Sequence, residues 1–314
     1  MVRYILRRLL SSVLVLFVII TGAFFVMKAA PGGPFDADRK LPAEVEKNIK
    51  AKYHLDEPVW KQYALQLESI VVHGDFGPSL KYPDRTVNEI LAEGLPVSLL
   101  LGVQALFFAL LIGVPAGLLA GLKQNTWLDY APMTGAMAGV SIPNFVMGPL
   151  LIYVFAIELQ WFDAANWNGL GQGLWAHLQT SFLPSLTLGL YYGAYVARLT
   201  RGGMLEIIRQ DYIRTARAKG LAEKWVVVRH ALKGAIIPVV SYLGPAFAGM
   251  LTGSIVIEKI FNIPGLGTHF VTSAFNRDYP LVLGTIVLYS SLLVVLNLVV
   301  DVLYTLLDPR VTYD

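Results

Sequence analysis

A short basic and alanine-rich stretch carries the clearest functional signal in the sequence. It reads EIIRQDYIRTARAKGL from residue 206, with Ile208, Tyr212 and Thr215 on one side of a helical pattern. Lys219 falls in the last predicted turn and favours the negative end of the helix dipole, and Gly220 suits the position just past the end. Because alanine is small, such a helix can enter a cleft of another protein. The pattern favours docking; a charged loop that sets topology or contacts anionic lipid is the alternative.

Side chains that could perform bond chemistry are not grouped in the sequence. It contains no GxxxxGK[ST] phosphate-binding loop, no HExxH zinc motif and no GxSxG nucleophile elbow. The chain has no cysteine, which excludes a disulfide framework and a thiolate site. The histidines are scattered over predicted loops, at His54, His73, His177, His230 and His269. We therefore predict that the chain is not an enzyme and that it holds neither a metal nor a cofactor.

The composition predicts an all-α, polytopic membrane protein. Of 314 residues, 55% are hydrophobic and only 15% are charged, whereas soluble domains carry about 25% charged residues. The apolar residues cluster in runs of the length that crosses a bilayer, about 20 residues. Six spans are predicted, at residues 9–27, 97–122, 131–157, 182–197, 236–257 and 281–307. The first run is too long for the core of a signal peptide, so we expect an uncleaved helix.

Basic residues indicate the orientation of these spans. The segments placed inside hold 14 Lys and Arg, nine of them between Arg198 and Lys233, whereas the short outer loops hold only Lys259 and Arg277. Since the cytoplasmic loops of membrane proteins carry the excess of basic residues, both termini are predicted to be cytoplasmic.

The predicted organisation separates an external helical subdomain from a membrane core. Within the subdomain, helices are predicted at residues 43–53 and 58–72, and turn residues follow at His73–Ser79. The predicted parts are an N-terminus with the first span (1–27), the subdomain (28–96), a five-helix core (97–307) with a cytoplasmic coupling segment (206–235), and a cytoplasmic tail (308–314).

Glycines four residues apart predict closely packed helices, because they let helix backbones approach within a membrane. They occur in four predicted spans, as Gly113, Gly117 and Gly121, Gly135 and Gly139, Gly189 and Gly193, and Gly249 and Gly253. The charged residues Glu158, Arg198 and Glu258 are placed at span ends, and Asp301 near the end of the sixth span. Ion-coupled transporters usually bury charge at bilayer depth, so we expect the energy source to lie outside this chain.

The segment Arg214–Leu221, RTARAKGL, resembles the loop that ABC importer permeases present to their ATPase subunits. That loop is generally EAA, three residues and glycine; here Arg214, Thr215 and Ala216 stand in the EAA positions, which resembles the oligopeptide and dipeptide branch. The chain is similar to the B-type permeases of this branch, more to the oligopeptide than to the dipeptide members. Matching motifs extend over nearly the whole chain: APGGPF, AKYHLDEP, HGDFGPS, RHAL, IPGLG, NRDYPLVLG and DVLYTLLDPR.

The resemblance implies a type I, MetI-like permease fold in the inner membrane of a bacterium. It implies a homologous C-type permease, two cytoplasmic ATPase subunits that bind ATP and Mg, and a periplasmic peptide-binding protein; no nucleic acid is expected. The implied coupling helix comprises Arg214, Thr215, Ala216, Arg217, Ala218, Lys219, Gly220 and Leu221. Candidate periplasmic gate or receptor contacts are Gly74, Asp75, Phe76, Pro264, Gly265, Arg277 and Asp278, with ordinary capping turns as the alternative.

Other functions stay open at this point. Related permeases take dipeptides, glutathione or nickel. An ATP-independent transporter and a membrane scaffold that transports nothing are the alternatives from other classes.

Overall fold

The computed structural model describes residues 2–30, 56–82, 84–164 and 166–307, and its regular structure there is helical apart from one isolated β-bridge between Pro78 and Thr86. The helix predicted at residues 43–53 and the tail at 308–314 lie outside the described residues. The helices are α1 Val2–Ala29, α2 Val59–Glu68, α3 Val87–Leu122, α4 Trp127–Ser141, α5 Asn144–Leu151, α6 Leu174–Ile207, α7 Asp211–Ala218, α8 Glu223–Trp225, α9 Leu232–Ala235, α10 Ile237–Ile260, α11 Leu266–Asn276 and α12 Tyr279–Leu307. Wider π-helical turns at Ser69–His73, Ile152–Glu158 and Val226–Ala231 extend α2 and α5 and connect α8 with α9.

The chain divides into two compact units. One comprises Met1–Pro96 with Gly265–Val294, and the other comprises Val97–Pro264 with Val295–Asp314.

The first unit is built from α1, α2, the start of α3, α11 and the start of α12. Val87, Ile90 and Leu91 are buried against Leu266 and Leu281. A second cluster joins α1 to α12 through Ile20, Leu283 and Val287. The amphipathic helix predicted at 58–72 is confirmed as α2 and its π-helical extension.

The start of α3 differs from the prediction. The helix begins at Val87, ten residues before the predicted span, and its 36 residues correspond to about 54 Å. Thr86 and Glu89 form a capping box: the Thr86 N–H donates to Glu89 Oε2 at 3.0 Å and the Glu89 N–H to Thr86 Oγ1 at 3.3 Å. These two hydrogen bonds satisfy two N–H groups at the N-terminus of α3. The helix can therefore begin before the apolar run.

The second unit is organised around α6, which contacts α4, α5, α9 and α10. Its buried side chains include the polar residues Thr180, Ser185 and Thr187. His177 is also fully buried, with Nε2 2.7 Å from Gln104 Nε2 and Nδ1 2.6 Å from the Asn168 carbonyl oxygen. A helix enclosed by other helices needs no lipid-compatible surface, so polar residues on it are tolerated.

Close approach of α3 and α6 confirms the packing role of the glycines on α3. A β-carbon on Gly113 would lie 2.5 Å from the Gly193 carbonyl oxygen and 2.7 Å from Val196 Cβ. A β-carbon on Gly121 would lie 2.5 Å from Met204 Cβ. The same expectation is wrong for Gly135, since none of the described residues lies within 4 Å of such a carbon.

Within the described residues, three helices are long and apolar enough to cross a membrane by length and composition: α3 and the stretches Leu10–Ala29 and Tyr279–Val299. Two bent pairs raise the number to five if each is one span. The predicted span 131–157 is one of these pairs, because its helix stops at Ser141 and resumes at Asn144 with a bend of 106°. Ile142 is extended, the conformation that the following Pro143 favours. The predicted span 182–197 lies within α6, and the count of six spans stays a prediction.

Candidate functional site

The predicted docking stretch forms a short helix with a defined end. α7 covers Asp211–Ala218, and Lys219 is its C-cap residue. Gly220 follows with a φ of +76°, in the left-handed region. The Gly220 N–H donates to the Arg217 carbonyl at 2.9 Å, and the Leu221 N–H to the Ala216 carbonyl at 3.4 Å. These two bonds close a Schellman turn, in which a left-handed residue is required. The position predicted for Gly220 is confirmed.

One face of α7 is buried inside the chain. Ile213 and Ala216 are buried in one cluster with Met204, Val226 and Ala231. Tyr212 is 47% exposed and Thr215 is also exposed, whereas Ile208 packs against this cluster, so the three residues do not form one buried stripe. The chain after Gly220 returns over the opposite side of α7, which determines the face that is covered. Ala216 is therefore small because it packs inside this chain.

Five exposed side chains of α7 and its closing turn form a surface that we call the docking face. It consists of Arg214, Thr215, Ala218, Lys219 and Leu221. Two further apolar side chains, Trp225 and Val228, are more than half exposed directly after it. Small, basic and apolar side chains are thus exposed together on one side of α7, while the other side packs against the cluster around Ile213.

An ion pair braces the turn after α7. Arg217 donates to both carboxylate oxygens of Glu223, at 2.6 and 3.1 Å, across the Gly220 turn. This hydrogen bonding lowers the pKa of the Glu223 carboxyl and raises the pKa of the Arg217 guanidinium. Both groups are largely exposed, so water screens the pair and its main effect is on geometry.

A second ion pair anchors α6 near the coupling segment. Arg201 donates from Nε and Nη2 to the two carboxylate oxygens of Asp129, at 2.6 and 2.8 Å. The Asn125 N–H donates to the same carboxylate at 3.0 Å. The pair joins the start of α4 to α6, six residues before α6 ends.

A buried acid on α10 corrects another expectation. Glu258, which the sequence predicts at a span end, lies in the last turn of α10 and is fully buried. Its Oε1 accepts hydrogen bonds from Ser98 and Ser254, both at 2.7 Å. Together with Asp129, Glu258 shows that acidic residues are buried within this unit. The expectation that the chain buries no charge therefore gives no argument against ion coupling.

The predicted gate residues divide into buried and exposed groups. Asp278 is fully buried, and its carboxylate accepts hydrogen bonds from the Ser79 hydroxyl and, at 3.2 Å, from the Leu80 N–H. Gly265 is buried at the start of α11, whereas Gly74, Asp75 and Pro264 are exposed. These buried contacts fix loops to helices, as expected of capping residues.

Gly74 and the two remaining predicted gate residues lie in turns or support them. Gly74 ends the α2 extension with a φ of +64°, and Arg277 ends α11 with a φ of +57°. The Phe76 side chain packs against the cluster around Ile90. Its N–H donates to Asn88 Oδ1 at 3.0 Å.

The described helices include apolar ones that are long enough to cross a membrane, which is typical of an all-helical membrane protein. The chain matches the family "Binding-protein-dependent transport system inner membrane component" over residues 113–313. It also matches the N-terminal model of the same systems over residues 1–102.

Curated relatives match along the whole chain. An oligopeptide transport system permease protein of Salmonella typhimurium is 51% identical over 313 residues, covering 100% of both chains. That of Haemophilus influenzae is 47% identical over the same share. A dipeptide transport system permease protein of Bacillus subtilis is 46% identical over 99% of this chain and 98% of the relative.

A solved structure shares the fold. It is the MetNI methionine ABC transporter in inward-facing conformations, with a TM-score of 0.56 and 17% identity over 70% of this chain and 97% of that one. The chain belongs to the family of inner membrane components of binding-protein-dependent transport systems.

Proposed function

We propose that this chain is one of two permease subunits of an ATP-driven importer of oligopeptides. Relatives with 51% and 47% identity carry the name of oligopeptide permeases, which supports the substrate class. A homologous C-type permease completes the pathway through the inner membrane, and a periplasmic binding protein delivers the peptide. In this proposal the chain has six spans, and both termini and the coupling segment lie on the cytoplasmic side.

The anchored helix α7 carries the proposed mechanism. Ile213 and Ala216 fix it to the end of α6 through Met204 and to the start of the next membrane helix through Ala235. A partner that moves the docking face therefore moves both helices. The partner in this mechanism is a pair of cytoplasmic ATPases, which bind ATP and Mg and drive the movement by their ATP cycle.

The exposed outer residues are proposed as contacts for the binding protein. Gly74, Asp75 and Pro264 are accessible, whereas Gly265 and Asp278 position the loops that carry such contacts.

A reconstituted complex tests this function. The two permeases, the ATPases and the binding protein are placed in proteoliposomes, and peptide-stimulated ATP hydrolysis and uptake of a labelled peptide are measured. Ala218→Trp enlarges a residue of the docking face and is expected to abolish stimulation without loss of insertion. Ala64→Trp, at an exposed position of α2, is the matched control and retains it.

Each alternative has its own outcome. Stimulated hydrolysis at the parent rate in an assembled Ala218→Trp complex would show that α7 does not couple. Uptake by vesicles without ATPases would indicate an ATP-independent transporter, and unchanged uptake after deletion of the chain would indicate a scaffold. Stimulation by dipeptides, glutathione or nickel alone would change the substrate.

A further inference from the structure

Four tyrosines and one arginine form a continuous aromatic and cationic surface on α6 and α10. Ring centroids are 5.2 Å apart for Tyr191 and Tyr192, 5.4 Å for Tyr191 and Tyr195, and 6.0 Å for Tyr195 and Tyr242. The Arg198 guanidinium lies 4.8 Å from the centroid of the Tyr195 ring. The surface therefore continues without a break from an aromatic group to a positive charge.

This surface differs from one that faces lipid. On α3, the exposed positions four residues apart are Val103, Phe107 and Leu111, which are all apolar. On α6, Tyr191 and Tyr195 are half-buried and Arg198 is exposed at similar spacing. A guanidinium within a span is costly against hydrocarbon and usually faces the bundle interior or a water-filled cavity.

The packing behind the tyrosines shows that the surface is built into the fold. A β-carbon on Gly249 would lie 2.6 Å from the Tyr192 hydroxyl oxygen, so a larger residue on α10 would displace that ring. Arg198 and Arg201 are one turn apart on α6, but only Arg201 is paired with a carboxylate among the described residues. Arg198 is thus a cation held by an aromatic ring and open to an anionic ligand.

A peptide has the chemistry that matches these groups. Tyrosine hydroxyls hydrogen-bond to backbone amides, which are present in every peptide, and the rings accept side chains of many shapes. A guanidinium binds a carboxylate through two parallel hydrogen bonds. The surface therefore suits a ligand with a constant backbone, variable side chains and one terminal carboxylate.

We propose that Tyr191, Tyr195, Tyr242 and Arg198 form a peptide-binding site in the transport pathway, with Arg198 holding the C-terminal carboxylate. This inference rests on the proposed function, because a peptide reaches the site only if the chain forms a peptide pathway. It adds a residue that distinguishes a free from a blocked C-terminus.

Uptake of two matched peptides tests the site. One labelled tetrapeptide with a free carboxylate and its C-terminal amide are compared in proteoliposomes that contain the complete complex and saturating binding protein. Arg198→Gln is expected to lower uptake of the free peptide by about tenfold, the effect of one lost charge-assisted interaction, and to lower uptake of the amide by less than about twofold. Arg198→Lys is expected to restore part of the difference, and Lys123→Gln, which removes another exposed cation, keeps the parent ratio.

The ratio of the two uptake rates separates this site from other effects. A preference of the binding protein is common to all variants and cancels from the comparison. An Arg198→Gln complex with the parent ratio, or with both rates lowered equally, would overturn the site while the parent still transports peptide. A parent complex that takes up neither peptide would instead refute the proposed function, and this site with it.

Labelling provides a second measurement that does not require an Arg198 variant to fold. The chain has no cysteine, so Ser241→Cys introduces a single thiol at an exposed position next to Tyr242. The free peptide is expected to slow maleimide labelling of this thiol more than the amide does. Met137→Cys, exposed on α4, is the control whose labelling neither peptide changes. Equal labelling of Ser241→Cys with and without the peptides would contradict the site.

Discussion

Arg201 and Asp129, 72 residues apart in sequence, form a two-pronged ion pair in which the carboxylate is almost completely buried. The pair connects the start of α4 with α6, the helix that precedes α7. Because the two residues lie at the ends of different helices, the contact fixes how those ends are placed. It is therefore a structural element of the same unit that carries α7.

Removing one partner of this pair is expected to destabilise the chain. Arg201→Met leaves the Asp129 carboxylate buried without its partner, a change that costs about 3–5 kcal/mol when both groups are enclosed. The Arg201 side chain is 30% exposed, so solvent screening places the expected loss at or below the lower end of that range. Thermal unfolding of the detergent-purified complex measures the loss.

The double variant Asp129→Asn/Arg201→Met is the control for this pair. It removes the isolated charge and is expected to recover part of the lost stability, since two neutral groups leave no unpaired carboxylate. Equal losses in the single and the double variant would mean that the unpaired Asp129 carboxylate is not the cause of the loss.

The crossing of α3 and α6 gives a second prediction. Gly113→Ala is expected to force the two backbones apart, because the new methyl group would lie within 2.5 Å of a backbone oxygen. Overpacking of this kind costs about 1–3 kcal/mol, which lowers the unfolding temperature of the complex. Gly135→Ala adds the same methyl group where nothing lies within 4 Å. If Gly135→Ala were as unstable as Gly113→Ala, the loss would come from replacing a glycine within a helix and not from a clash at the crossing of α3 and α6.

Local sequence signals predicted the ends of elements well and their distant partners poorly. Gly220 could be placed because a left-handed residue after a basic, helical turn is a local requirement. The early start of α3 also had a local signal, the Thr86 and Glu89 capping box, but the apolar run concealed it. Which face of α7 is buried depends on residues 226–235, which pack against it. The periodicity of α7 alone cannot predict this contact.

Two sites within α7 give a third prediction, which separates folding from docking. Ala216→Leu enlarges a buried residue of the cluster around Ile213 and is expected to loosen the coupling segment, at a cost of about 1–3 kcal/mol. Ala218→Leu makes the same change on the docking face and is expected to leave the segment folded. Hydrogen exchange of residues 211–235 in the purified chain measures the difference: faster exchange in Ala216→Leu only. Faster exchange in both variants would mean that Ala218 also packs internally.

The pH dependence of the first unit depends on His269. Burial, and then the positive charge of Arg85, lower the pKa of this imidazole, while Glu93 opposes them. Its Nδ1 is buried without a hydrogen-bond partner among the described residues, and the Tyr82 ring lies at 6.1 Å. The folded chain therefore favours the neutral imidazole.

A lowered pKa determines the sign of the effect. Between the folded value and the unfolded value of about 6.5, the unfolded chain binds the proton and the folded chain does not. His269 thus contributes full stability above about pH 6.5, and this contribution is lost as the pH falls through the folded pKa. Unfolding temperatures of the complex between pH 7.5 and 5.5 are expected to fall less for His269→Gln than for the parent. His73→Gln, an exposed histidine, is the matched control and is expected to retain the parent slope; a parent slope in His269→Gln as well would assign the pH dependence to another group.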